Sequence, residues 1–293
     1  MRSGPWSTVE FWAVPGVALG ILGLVVATGA NQALFLWINR WSLATGPEIW
    51  PLVTVLGDTA VALALFTPFA LRRPDMLWAL ALSAVLATLY VHALKPLFDT
   101  ARPPGVLAAD AFIVIGPAHK AHAFPSGHTT TAFVSAALIW AHVGAAWARL
   151  GVLALATLVG LSRAVVGVHW PVDILAGMAG GWMCGFVGTW ASQRLRFGLA
   201  MPTQSLVTAL LAGCAVALLA GLDTGYSDAV PFQHAIGAFA LLALVFNVSH
   251  TLRDALEVKE VKEVNEVKEV KEVKEVKEVN EVKEVKEVKE VGK

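Results

Sequence analysis

The sequence predicts an all-α integral membrane protein. Three observations carry this: long apolar runs recur along the chain, the body is almost free of charge, and its polar residues gather in short clusters between the runs. The chain has 293 residues, 56% hydrophobic and only 15% charged, with a mean hydropathy of +0.64. An ordinary soluble domain is about 25% charged. The charge is also unevenly spread. From Glu257 to Lys293 there are 10 Lys and 12 Glu, so the first 256 residues hold 12 of the 22 Lys and Arg and 10 of the 22 Asp and Glu. Lys95 and Lys120 are the only lysines before that tail. A body so poor in charge reads as a bundle of spans, in which helices satisfy their own backbone hydrogen bonds.

Apolar runs of about 20 residues, enough to cross a bilayer, lie at 9–30, 50–71, 76–97, 127–147, 150–168, 172–192, 203–222 and 232–250. The first exceeds the roughly 7–15 residues of a signal-peptide core and is expected to stay as an uncleaved span. Between the first two runs, Ala33 to Trp41 places Leu, Phe, Trp and Ile on one side and Asn39 and Arg40 on the other. That pattern predicts a short interfacial helix.

Positive charge sets the orientation. If eight spans alternate, Arg2, Arg72, Arg73, Arg149, Arg194, Arg196 and Arg253 fall on one side, which should be the cytoplasm. Lys95, Arg102, Lys120 and Arg163 fall on or near the opposite side and need another reason to be there. The tail from Glu257 repeats Glu-Val-Lys at period three, with Asn265 and Asn280 in place of two lysines. At about 100° per residue its valines spiral and build no single apolar face. It reads as a solvated low-complexity extension without chemistry, either a single helix or disordered.

Composition also excludes several classes. The formal net charge is zero and no basic patch points to nucleic acid. Cys184 and Cys214 sit inside apolar runs and suggest neither a disulfide framework nor a metal cluster.

The polar clusters are Lys95 to Pro103 (KPLFDTARP), Phe124 to His128 (FPSGH) and Ser162 to Asp173 (SRAVVGVHWPVD). In the eight-span topology all three sit at the outer ends of spans three to six. Ionisable groups at membrane depth are costly and mark function by default. Lys95, Arg102 and Arg163 are three cations suited to phosphate, the arginines as bidentate forks and the lysine as a point charge. Ser126 and Gly127 precede an apolar helix whose free N–H groups favour an anion. His169 and Asp173 share one helical face four residues apart. A carboxylate there accepts from one imidazole nitrogen and frees the other as a nucleophile. His128 supplies a second imidazole, suited to acid–base work. Each feature has an ordinary explanation alone: snorkelling for the cations, capping for Ser126, the helix dipole for Asp173. Their spacing is what those explanations leave out.

The spacing Lys95-x6-Arg102-Pro103, then Pro125-Ser126-Gly127-His128, then Ser162-Arg163-x5-His169-x3-Asp173, resembles the type 2 phosphatidic-acid phosphatase (PAP2) superfamily, which includes the vanadium haloperoxidases. No motif position departs. The likeness covers about residues 50–192. The NQALFLWIN stretch and Leu52 to Asp58 (LVTVLGD) also look like its membrane lipid-phosphatase branch. The resemblance implies a six-helix catalytic bundle, here with two additional C-terminal transmembrane helices. It also implies a reaction: hydrolysis of a lipid phosphomonoester or pyrophosphate, such as undecaprenyl pyrophosphate, phosphatidylglycerol phosphate, phosphatidate or lipid A. In that scheme His169 attacks phosphorus and becomes phosphohistidine, Asp173 orients it, and His128 protonates the leaving oxygen and then activates water. Lys95, Arg102, Ser126, Gly127 and Arg163 hold the phosphoryl oxygens, with no metal and no cofactor. Expected partners are the lipid substrate and the bilayer.

The expected organisation is a core at residues 1–198, an added helix pair at 199–252 and the repeat tail at 253–293. The expected setting is a bacterial inner membrane, with the site facing the periplasm or exterior and the tail in the cytoplasm. Two alternatives stay open: a phosphotransferase passing the same phosphoryl group to a lipid acceptor, and a non-catalytic lipid-binding or transport protein. Asp58 is expected to pair with a cation of the site or to bond a neighbouring helix. His92 is either packing or support for the site, and His119, Lys120 and His122 read as a solvated loop.

Overall fold

The computed structural model describes residues 7–291, and among these no strand occurs. The helices are α1 (Thr8–Thr28), α2 (Asn31–Asn39), α3 (Trp41–Thr45), α4 (Ile49–Val55), α5 (Thr59–Ala64), α6 (Pro74–Phe98), α7 (Pro103–Val106), α8 (Gly127–His142), α9 (Ala146–Val165), α10 (Pro171–Arg194), α11 (Met201–Leu219) and α12 (Val230–Val291). Short 3-10 turns occupy Thr67–Phe69, Arg196–Leu199 and Ser227–Ala229.

Six helices are long and apolar enough to cross a membrane, and a bent pair, Ile49–Val55 with Thr59–Phe69, makes a seventh if it counts as one span. The sequence expectation was eight regular spans. Two of them differ for physical reasons. The second run breaks by 67° where Asp58 starts a new helix. Its Oδ1 accepts from the N–H groups of Ala60 at 2.8 Å and Val61 at 3.3 Å. Asp58 is therefore an N-cap, rather than a partner for a site cation or a neighbouring helix. The fourth run, α8, has 16 residues, roughly 24 Å at 1.5 Å per residue, short of a bilayer core of about 30 Å.

In the unit formed by residues 1–244, α10 is the centre, packed by α1, α6, α8 and α9. Helices in lipid associate by close packing and small residues rather than by expelling water. A β-carbon at Gly181 would strike the Thr130 carbonyl oxygen of α8, so glycine there sets how near the two helices come. Outward-facing side chains are apolar and bare: Leu24, Val85, Leu89 and Leu210 are each about 60% exposed, as contact with lipid demands. α11 packs against α5 and α6, within the same unit.

The two ends of the bundle differ. At one end Glu10 accepts from Trp140 Nε1 and faces Arg149, while Arg73 pairs with Asp75 and donates to the His142 carbonyl. At the other end lie the segment 99–126, the turn from 166 to 170 and the loop between α11 and α12. The expected interfacial helix forms as α2, but its polar face is not turned to water. Asn39 is 1% exposed, and its Nδ2 donates to the carbonyls of Ile113 (2.8 Å), Ala164 (3.2 Å) and Val165 (2.9 Å). Asn31 accepts from the N–H of Val172 at the start of α10. The asparagines at the two ends of NQALFLWIN thus bind α2 to the ends of α9 and α10.

The second unit, residues 245–293, is helical through Val291, so the repeat takes the helical of its two expected forms. Lys259 and Glu263 lie 3.7 Å apart at i,i+4, and His250 faces Asp254 at 2.9 Å.

Candidate active site

Three local structures position the polar residues. α6 ends near Lys95, with Pro96 in its last turn and Asp99 in the left-handed conformation at its C-cap. Arg102 follows and is tied in place: its N–H donates to the Lys120 carbonyl (2.9 Å) and its Nε to that of Ala121 (2.9 Å). It is 8% exposed.

α8 begins at the second cluster. Ser126 is its N-cap, with Oγ accepting from the Thr129 N–H (3.4 Å) and hydroxyl (2.9 Å). The Ser126 hydroxyl is thus turned to its own helix. The N–H groups of Gly127 and His128 have no partner among the described residues. Those orphan donors and the positive helix end make an anion seat. His128 Nε2 is buried without a hydrogen-bond partner. The break at Gly57 fixes this corner, because a β-carbon there would lie 2.9 Å from the His128 carbonyl oxygen.

α10 begins at the third cluster. His169 Nδ1 lies 3.2 Å from Asp173 Oδ2, and the same oxygen accepts from the Trp170 N–H at 2.8 Å. His169 is 2% exposed and Asp173 1%. Pro171 opens the helix, where its missing N–H costs nothing. Ser126 N–H donates to the Asp173 carbonyl (3.0 Å), which joins the second cluster to the third. Burial, then the charges of Arg102 and Arg163, push the His169 imidazole well below the usual histidine range. Among the described residues its Nε2 makes no hydrogen bond, and a neutral imidazole with a free nitrogen is the form that can act as a nucleophile.

Arg163, 4% exposed, does not snorkel. Its NH1 donates to Thr54 Oγ1 (2.5 Å) and Tyr226 Oη (2.9 Å), and its Nε is buried without a partner. Among the described residues Lys95 makes no ion pair, and its charge, like those of Arg102 and Arg163, bears on both histidines. All eight motif residues therefore meet at one end of the bundle. Among the described residues, no group of three or more His, Cys, Asp or Glu is placed to hold a metal ion.

Of the remaining polar residues, His119 lies near the cations: burial, then Arg102, Arg163 and Lys95, lower its pKa. His122 pairs with Asp99 at the surface (3.2 Å). His92 lines a cavity of about 230 Å³ between α5, α6 and α8 that ends at Lys95, Gly127 and His128. Sequence reasoning missed Thr54 and Tyr226. Thr54 stands in the LVTVLGD stretch, which offered a signal. Tyr226 stands outside every motif.

Fold and site together define a helical membrane protein with a buried cluster of cations beside a histidine–carboxylate pair. Residues 76–197, which hold all three motifs, match the PAP2 superfamily. The chain is 34% identical over 119 residues to a lipid A 1-phosphatase of Porphyromonas gingivalis, spanning 40% of this chain and 24% of that protein. It is 29% identical to a lipid A 1-phosphatase of Rhizobium etli, over 60% of this chain and 81% of the relative. It is 38% identical to phosphatidylglycerophosphatase B of Escherichia coli K12, over 28% of this chain and 34% of the relative. The chain thus spans about a quarter of the first relative and about a third of the last.

Proposed function

We propose that this protein hydrolyses a lipid phosphomonoester or pyrophosphate through a phosphohistidine intermediate. The observation that carries the reading is the buried His169–Asp173 pair, beside three cations and with no hydrogen bond to Nε2 among the described residues. In the first step His169 Nε2 attacks phosphorus. The N–P bond forms, the bond from phosphorus to the lipid oxygen breaks, and His128, protonated once the bound phosphoryl group offsets the Arg163, Arg102 and Lys95 charges that add to burial in lowering its pKa, gives that oxygen its proton. In the second step His128 takes a proton from water, the hydroxide attacks the phosphohistidine, the N–P bond breaks, and inorganic phosphate leaves. Asp173 holds the imidazole by its other nitrogen. Lys95, Arg102, Arg163 and the N–H groups of Gly127 and His128 neutralise the phosphoryl oxygens, the main need in phosphoryl transfer. Ser126 serves by capping the helix that presents those groups.

The substrate is a lipid with its headgroup at the cations and its chain in the cavity along α6 and α8, past Val91, Ala87 and Leu80. The relatives named for lipid A and phosphatidylglycerophosphate favour a bacterial envelope lipid. Arg73 and Arg149 collect at the end away from the site, which favours a periplasmic or exterior site under the positive-inside rule.

The test is phosphate release from a panel of lipid phosphates and pyrophosphates by detergent-purified protein in EDTA, with His169→Ala alongside. We expect release from one lipid class, reduced at least about 10³-fold in the variant with the folded state retained. Undiminished release by the variant overturns the nucleophile assignment. Activity that needs added divalent metal overturns the metal-free chemistry. Phosphate appearing on an acceptor lipid instead of in solution identifies a phosphotransferase.

A further inference from the structure

The added C-terminal helix pair lies beyond the segment that matches the superfamily, yet it reaches the site. The loop between α11 and α12 is built rather than loose. Gly221 and Gly225 take positive φ, the Gly225 N–H donates to Asp223 (2.7 Å), and Gln233 donates to Thr224 (2.6 Å). From this loop Tyr226 enters the protein and is 5% exposed. Its ring packs on Gly116 of the 99–126 segment, where a β-carbon would lie 2.6 Å from Tyr226 Cε1. Its hydroxyl accepts from Arg163 NH1, and Thr54 of α4 accepts from the same nitrogen.

An NH1 group carries two hydrogens, and two acceptors take them. The guanidinium is planar, so fixing NH1 fixes the whole fork. What remains is the edge formed by Nε and NH2, and Nε is buried with no protein partner. A buried donor without a partner is costly, and a bidentate oxyanion on that edge supplies one. We infer that Tyr226 is a positioning residue: with Thr54 it holds NH1 of Arg163, so that the Nε–NH2 edge is presented to the phosphoryl oxygens. The added helix pair thereby completes the anion site. This rests on the phosphatase reading for the identity of the oxyanion.

The test is Tyr226→Phe, which keeps the ring against Gly116 and removes only the acceptor, compared with Arg163→Ala and with the double variant. Two quantities are read: kcat/KM for the lipid found in the panel, and calorimetric binding of inorganic phosphate, which needs no turnover. We expect Tyr226→Phe to lower both about tenfold, with the protein still eluting as a folded species on size exclusion, and to have no further effect where Arg163 is already alanine. Values within twofold of the wild type overturn the inference. So do losses that multiply in the double variant, since Tyr226 would then act apart from Arg163. A wild-type protein that binds phosphate but hydrolyses no lipid overturns the phosphatase reading, and the phosphate affinities then decide the role of Tyr226 alone. A wild-type protein that does not bind phosphate overturns both.

Discussion

His169 differs from the exposed histidines His122 and His250, which face carboxylates in water. Its carboxylate partner is buried with it, and burial and the nearby Arg102 and Arg163 depress its pKa. A depressed histidine pKa keeps the base neutral as pH falls, so the nucleophile is lost only below the ordinary value of about 6.5. The acid limb of kcat/KM should therefore lie below pH 6.5. Replacing Arg102 with Gln removes one depressing charge, which raises the pKa and moves that limb to higher pH. A pH–rate profile of both proteins on one lipid checks this, because the substrate's own ionisation is common to the pair. An acid limb above pH 6.5 in the wild type contradicts the electrostatics. At this scale the sequence was most legible where chemistry ties residue types to spacing: all eight motif positions converge. It was silent on Tyr226, which meets Arg163 only through the fold, 63 residues away.

Elements show where hydropathy is a coarse guide. Summed over a window, 50–71 is one span, yet Gly57-Asp58-Thr59 carries a helix-start signal that the apolar sum hides. The break matters, because it brings Gly57 against the backbone of His128. Asn39 was misplaced for a related reason. On an isolated helix it falls on a polar face, whereas here that face meets the carbonyl ends of α9, which need donors. Asn39→Ala removes a donor from those carbonyls and the acceptor of the Ile113 N–H, and should destabilise the protein by about 1–3 kcal/mol. Thermal denaturation in detergent measures this; an unchanged melting temperature rules out Asn39 as a tie. Gly181→Val tests the central contact. The added methyl groups push α8 off α10, at a cost of about 1–3 kcal/mol or more, and carry His128 away from His169. We expect activity to fall even where the variant purifies as a folded protein by size exclusion, and full activity would show that the contact is not limiting.

For the molecule as a whole, sidedness is the property that composition predicts and geometry refines. Charge counting needs only the alternation of spans, and it requires the bent pair Ile49–Val55 and Thr59–Phe69 to carry the chain across once. The bundle then sorts its polar groups by end: Glu10, Arg73 and Arg149 at one, the candidate site at the other. A site on the outer side meets lipids of the outer leaflet, so orientation decides which pool of substrate is reachable. Cysteine labelling tests this directly once Cys184 and Cys214 are replaced by alanine. Asp110→Cys lies on the exposed 99–126 segment beside the site, and Gln193→Cys is exposed at the far end of α10. A membrane-impermeant maleimide added to intact spheroplasts should label Asp110→Cys and spare Gln193→Cys until the membrane is opened. Labelling in the reverse order would place the site in the cytoplasm. Lys95, Arg102, Lys120 and Arg163 would then need no explanation against the positive-inside rule, and the substrate pool would be the inner leaflet.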